Sequence, residues 1–186
     1  MRKRHSKTAA TRKPVSGFTL IELLIVVVIL VVGATLALPS FRSLLANNQT
    51  TTGSNELLTA LNLARTEALK RGRPVVLCGS ADGAACDADW AAGWMVVNDE
   101  SAAGNSDVTE GTVIRVWPGL RADLLFDESD DDLPDFVRFL PDGRIDGLGL
   151  SFPLAFNLRK PNCRFGAARQ ITVARTGRAT VEQDSC

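Results

Sequence analysis

Glu22 is the only charged residue in the stretch 18–38, which is otherwise almost entirely apolar. A carboxylate placed so deep in an apolar helix costs roughly 2.5–3.5 kcal/mol on insertion scales unless something neutralises it. The chemistry open to it is therefore ion pairing. Cleavage of the peptide bond between Gly17 and Phe18 creates an amine one helical turn before Glu22, on the same subunit or on a neighbour, which can neutralise the carboxylate where water is scarce.

Other chemistry is thin. The single histidine, His5, lies in the basic N-terminal segment and leaves with it after such a cut, so Ser-His-Asp, Cys-His and His-metal catalysis are excluded. Asp127, Glu128, Asp130, Asp131 and Asp132 offer oxygen donors for calcium, but they lack the central glycine and closing Glu of an EF-hand loop and read as a solvated acidic loop. Trp90, Trp94 and Trp117 have the faces to stack a base, yet in a β-rich domain they read as core. No glycine-rich phosphate cradle is present. The chain reads as a non-enzyme without cofactor or metal, a membrane-anchored enzyme built on an acid pair being the weakest alternative. Arg164, Arg169, Arg175 and Arg178 form a basic C-terminal group; with 171–174 and 179–182 as a hairpin, Arg175 and Arg178 flank its turn as a candidate DNA-binding tip that contacts phosphates.

These residues need elements to hold them. Residues 18–38 number 21 and at 1.5 Å each span about 32 Å, the thickness of a bilayer's hydrocarbon core. Arg2, Lys3, Arg4, Lys7, Arg12 and Lys13 precede them with no acid, which keeps the N-terminus cytoplasmic. A cleaved secretory signal is the rival, but its apolar core is shorter and uncharged, and Thr35-Leu36-Ala37 is a poor cleavage site. The whole chain balances 21 basic against 21 acidic residues, and loss of the six leading bases leaves 15 against 21. Residues 82–146 are strongly acidic and 147–186 are basic.

Residues 40–71 continue as a helix with Leu57, Leu58, Leu61, Ala64, Ala68 and Leu69 as an apolar stripe toward a domain core. The Asn-, Thr- and Gly-rich segment 47–54 is poor helix material, and with Pro39 it marks where the rod is expected to bend or loosen. After Gly72 the period changes. Segments 74–78, 94–97, 112–117, 136–140, 152–157, 171–174 and 179–182 read as short strands, with Pro141-Asp142-Gly143-Arg144 and Thr176-Gly177 as the clearest turns. The expected fold class is α+β, a long N-terminal helix packed on an antiparallel β-rich head, with one compact domain and no internal repeat. The four cysteines allow three pairings in an oxidising compartment; Cys78 with Cys86 and Cys163 with Cys186 are favoured, and a zinc site lacks both Cys-x-x-Cys spacing and a nearby histidine.

The run Gly17-Phe18-Thr19-Leu20-Ile21-Glu22-Leu23-Leu24 resembles the leader boundary of the type IV pilin and pseudopilin superfamily, in which a prepilin peptidase cuts after the Gly and methylates the new N-terminal Phe. Arg73 and Val75, Cys78-Gly79-Ser80 with Cys86, Trp90, Gly93-Trp94, Phe139 with the Pro141 turn, and Thr176-Gly177-Arg178 resemble the GspH/FimT group of minor pseudopilins. The resemblance implies a leader at 1–17, a transmembrane segment at 18–39, the periplasmic half of the helix at 40–72 and a head at 73–186. It also implies a single pass through a bacterial inner membrane, a periplasmic head, and a mature form in a pilus or type II secretion pseudopilus. Implied partners are other pilins, prepilin peptidase and inner-membrane assembly machinery. FimT-type members take part in DNA uptake through a Gly-Arg-x-Arg motif; here Gly177-Arg178-Ala179-Thr180 lacks the second arginine.

Overall fold

The computed structural model describes residues 17–101, 107–120, 124–126, 133–147, 149–161 and 168–184, with the backbone alone at 36–40, 42 and 43. It divides into two compact units, Met1–Ser40 and Phe41–Cys186. Among the described residues, helix α1, Leu20–Arg71, is the only element of the first unit and it opens the second.

In the second unit α1 buries Thr50, Gly53, Ser54, Leu57, Ala60, Leu61, Ala64 and Ala68. These recur at three- and four-residue spacing and are mostly small, so the sheets approach closely. At Gly53 a β-carbon would lie only 3.0 Å from the Leu158 methyl. The buried face differs from the expected stripe: Leu58 is half-buried and Leu69 is 50% exposed, their places being taken by Ala60 and residues further N-terminal. The helix continues through 47–54, where loosening was expected. The reason is local. Thr50 and Thr52 donate their hydroxyls to the carbonyls of Ala46 and Asn48, and Ser54 to that of Thr51, so residues that normally compete with the helix are bonded into it. The helix stops at Gly72, whose φ of +62° is the left-handed cap glycine tolerates, with its N–H bonded to Ala68 O.

Among the described residues eight strands follow: β1 Val75–Gly79, β2 Gly93–Asp99, β3 Glu110–Pro118, β4 Leu125–Phe126, β5 Phe136–Phe139, β6 Leu154–Arg159, β7 Ala168–Val173 and β8 Ala179–Asp184. They build two antiparallel sheets, β3-β2-β1-β5 and β4-β6-β7-β8. The seven expected strands are present with shifted ends, and the two-residue β4 is too short to leave a periodic signal. Leu57, Leu61, Val75, Leu77, Trp94, Val96, Phe139, Phe156 and Ile171 form part of one shared core.

In the first sheet β1, β2 and β5 are buried on both faces, while β3 at the edge is largely exposed. Val76, Cys78, Met95 and Val97, which alternate with the inner residues, make a second small core with Cys86, Val108 and Phe136. Two connections roof it. The β1–β2 connection is tied down by the Cys78–Cys86 disulfide. The β2–β3 connection is held by Arg138, which is 2% exposed. Its guanidinium pairs with Asp99 and Asp146 and donates to Ser101 Oγ at 3.0 Å and to Asp107 O at 2.8 Å. Burial pushes the Asp99 carboxyl up, but hydrogen bonds from Ser101 and Arg138 outweigh it and hold the group below the ordinary carboxylate range.

The sheets are joined where two turns meet. Ile145, bridged to Phe139, donates its N–H to Arg175 O, and Arg65 of α1 donates to Gly143 O at 3.1 Å. Gly177, with φ +76°, sits so close that a β-carbon would fall 2.1 Å from Gly143 O. Only glycine fits there.

Three outcomes are expected from the full chain in detergent micelles, measured by thermal or denaturant unfolding. Asp99→Ala removes the nearer of two carboxylates from a buried guanidinium, leaving Asp146 at 3.4 Å, and costs about 3 kcal/mol. Because the folded-state pKa of Asp99 is depressed, its contribution is present above the unfolded value near 3.9 and disappears as pH falls through the folded value, so the deficit of Asp99→Ala shrinks below about pH 4. Replacing both Cys78 and Cys86 by Ala, which opens a bridge of sequence separation 8, costs about 2.5 kcal/mol. Gly177→Ala costs about 2 kcal/mol or more through backbone collision, whereas Arg178→Ala at the neighbouring exposed position stays within about 0.5 kcal/mol.

Candidate functional site

The helix begins at Leu20, leaving Gly17, Phe18 and Thr19 outside it. Thr19 and Glu22 stand in the Ser/Thr-x-x-Glu spacing of a capping box, and the Glu22 N–H donates to Thr19 Oγ1 at 3.3 Å. The cap fixes where the helix starts, and the positive end of the helix macrodipole favours an acid in this first turn. The Glu22 carboxylate makes no ion pair among the described residues. Around it the chain exposes Phe18 at 81%, Leu20, Ile21, Leu23, Leu24, Ile25 and the valines and leucines up to Val32. Such a surface is stable only when lipid or protein covers it. Among the described residues no helix is long and apolar enough to cross a membrane; the expected span at 18–39 runs into 36–40, whose side chains lie outside the description. The leader, including His5, lies outside the described residues apart from Gly17.

The C-terminal arginines do not form one group. Arg169 is turned onto the helix, donating to Asn47 Oδ1 at 2.6 Å and Thr51 Oγ1 at 3.2 Å as well as to Ala168 O. It fastens β7 to α1. Arg175 and Arg178 lie past the other end of β7, roughly 15 Å away at 3.3 Å per residue. Arg175 and Arg178 are both exposed, and the Arg175 guanidinium lies over the Phe152 ring at 5.7 Å. Arg164 lies outside the described residues, as do Cys163, Cys186 and the acidic run 127–132. Acidic neighbours temper this end, since Arg144 is paired with Asp142, whose carboxyl is held below its ordinary value by the Arg144 backbone N–H and guanidinium.

All three tryptophans are buried. Trp90 donates its indole N–H to Pro134 O at 2.9 Å and packs edge-on against Phe156, and Trp117 lies beneath Arg115. None offers a stacking face to a ligand.

Sequence reasoning missed Arg138 and Asp99. The signal was present: Arg138 is a lone charge in the otherwise apolar strand Phe136–Phe139, the same kind of anomaly that singles out Glu22.

Comparison with known proteins adds to this geometry. The family described as "Type II transport protein GspH" matches residues 53–177, about two-thirds of the chain, and the "Prokaryotic N-terminal methylation motif" matches residues 12–38. No curated protein sequence gives a match. Among solved structures, the fold is similar to that of the Pseudomonas aeruginosa (strain PAO1) type IV minor pilin FimU in two crystal forms. In space group P21 the identity is 20%, the TM-score 0.55, and 73% of this chain and 89% of that chain are covered. In P65 the identity is 18%, the TM-score 0.52, and the coverage 71% and 91%. A methylation-motif segment leading into a helix packed on two antiparallel sheets is the build of a membrane-anchored minor pilin or pseudopilin that assembles with other pilins, and the chain belongs to the GspH family.

Proposed function

We propose that the protein is made as a precursor, cut between Gly17 and Phe18 by prepilin peptidase and methylated on the new Phe18 amine. Residues 18–39 then hold it in the inner membrane by a single pass, with the N-terminus cytoplasmic and the head periplasmic, until inner-membrane assembly machinery draws it into a filament. The observation that carries this reading is Glu22. Its carboxylate is exposed amid a fully apolar surface and has no cation among the described residues. An uncompensated charge in that setting is costly, and the amine released at Phe18 is the nearest group able to neutralise it, in the same chain or in the adjoining one. A link to an adjoining chain also sets the axial register of neighbouring helices, while burial of the apolar helix drives packing.

In this scheme the head is an assembly module and performs no reaction. Its two sheets are cored by α1 and roofed by the Cys78–Cys86 and Arg138 ties. The assignment to pilus or secretion pseudopilus is made by a deletion strain scored in parallel for exoprotein secretion, twitching and transformation; loss of secretion alone assigns the pseudopilus, and loss of twitching or transformation assigns the pilus.

Mass spectrometry of the native polypeptide is expected to find Phe18 at the N-terminus carrying one methyl group. An intact leader, or trimming at another bond, overturns the scheme. Glu22→Ala is expected to leave membrane insertion unchanged and to lower recovery in sheared filament fractions at least tenfold; equal recovery removes the pairing argument.

A further inference from the structure

Among the described residues each sheet ends on an edge strand at either side, and the edges are not alike. β3 carries two register shifts against β2, the bulges that twist an edge away from further pairing. β4 is two residues long, and beyond β5 the Ile145 segment bridges Phe139. β8 has none of these defences. It pairs with β7 from Ala179 to Asp184 without a shift and contains no proline or lysine, and among the described residues no strand lies on its far side.

The ladder fixes which groups that edge presents. The Ala174 N–H donates to Arg178 O, so 174 and 178 are a hydrogen-bonded pair, and in an antiparallel ladder such pairs alternate. Thr180 and Glu182 therefore bond to β7 at Thr172 and Gln170, while Ala179 and Val181 turn their N–H and C=O outward. The side chains of Ala179 and Val181 lie on the inner face, where both are only partly buried against the shared core, so the core ends at β8 in an apolar rim. Thr180 and Glu182 lie on the outer face. Thr180 is engaged with Thr172 through the two hydroxyls, whereas Glu182 is exposed and makes no ion pair among the described residues.

We propose that β8 is a docking edge for one extended segment of a different polypeptide, which lengthens the second sheet by a strand. The added strand satisfies the outward groups of Ala179 and Val181, and its side chains alternate between the two faces. On the inner face apolar residues complete the rim at Val181; on the outer face a lysine or arginine meets Glu182, where an acid is repelled. The occupant is thus an amphipathic strand, apolar on one side and basic on the other. A second β8 does not fit. Antiparallel pairing of two copies sets a two-fold axis perpendicular to the sheet, so a helix packed on the sheet runs in opposite directions in the two copies, which subunits drawn from one membrane cannot adopt. Parallel pairing turns one sheet over and sets its polar face beside the apolar rim of the other. The antiparallel step rests on the filament-subunit reading given above; the edge itself belongs to the head.

The test uses the full-length chain in non-ionic detergent micelles, with empty micelles as the blank. Fluorescein-labelled peptides alternating valine with lysine, or valine with glutamate, are titrated and read by fluorescence anisotropy. The lysine peptide is expected to bind at least tenfold tighter than the glutamate peptide. Val181→Pro removes one outward N–H and no bond to β7, and is expected to weaken binding at least tenfold. Glu182→Lys, at an exposed position, is expected to weaken it at least fivefold and to reverse the preference between the peptides; it decides alone if Val181→Pro unfolds. Equal binding by the unaltered and altered chains overturns the proposal, and so does no binding up to about 1 mM, or a dimer of the chain that Val181→Pro dissolves. Peptide binding is scored whether or not the leader is cut, so an intact leader sinks the filament reading alone and failed binding sinks the edge alone.

Discussion

The closeness with which α1 lies on the two sheets is the constraint from which the head follows. Ala60, Ala64 and Ala68 expose no surface at all, and Gly53 admits a leucine methyl where a β-carbon would stand. A larger residue at any of these positions pushes the helix out by more than packing energy recovers, since close-packed interiors tolerate added methylenes poorly. With the helix seated, the inner residues of β1, β2, β5, β6 and β7 have one surface to close on. The turn at Gly143 then reaches both Arg65 and the hairpin turn at Gly177. The junction of the two sheets is therefore a consequence of helix seating.

Two isolated charges in apolar sequence met opposite fates. Arg138 sits in a strand buried on both faces and finds Asp99, Asp146, Ser101 and the Asp107 carbonyl within its own chain, so its charge becomes the fastening of a roof. Glu22 sits in an apolar helix and finds only the Thr19 cap, made through its backbone. The same electrostatic penalty applies to both. One is discharged by folding, and the other keeps its carboxylate without an ion pair among the described residues.

Much of this was legible in the sequence because it depends on short-range patterns. The octapeptide from Gly17 to Leu24 pointed to the family, the period change after Gly72 marked the end of the helix, and the Pro141 and Thr176 turns marked strand ends. What escaped depends on long-range pairing. Arg169 and Arg175 look alike in sequence, but the first is drawn 122 residues back to Asn47 and the second lies on Phe152. Continuity of the helix through 47–54 also escaped, because propensity counts Thr and Ser as competitors while hydroxyls bonded back to preceding carbonyls, with Thr50 and Ser54 buried under the sheets, hold them in place.

The two faces of α1 obey different periods, and this separates their tasks. The buried face combines spacings of three and four irregularly, as a helix does when it meets a twisted sheet whose shape its side chains must match one by one. On the exposed face, nine residues from Phe41 to Leu69 are spaced alternately by four and three, with Leu44 and Glu56 exposed beside them. On a straight helix such a stripe drifts only about 20° per heptad, so over three repeats it stays on the side away from the core. One helix thus carries a surface fitted to its own head and another, largely uncharged, that the head leaves exposed.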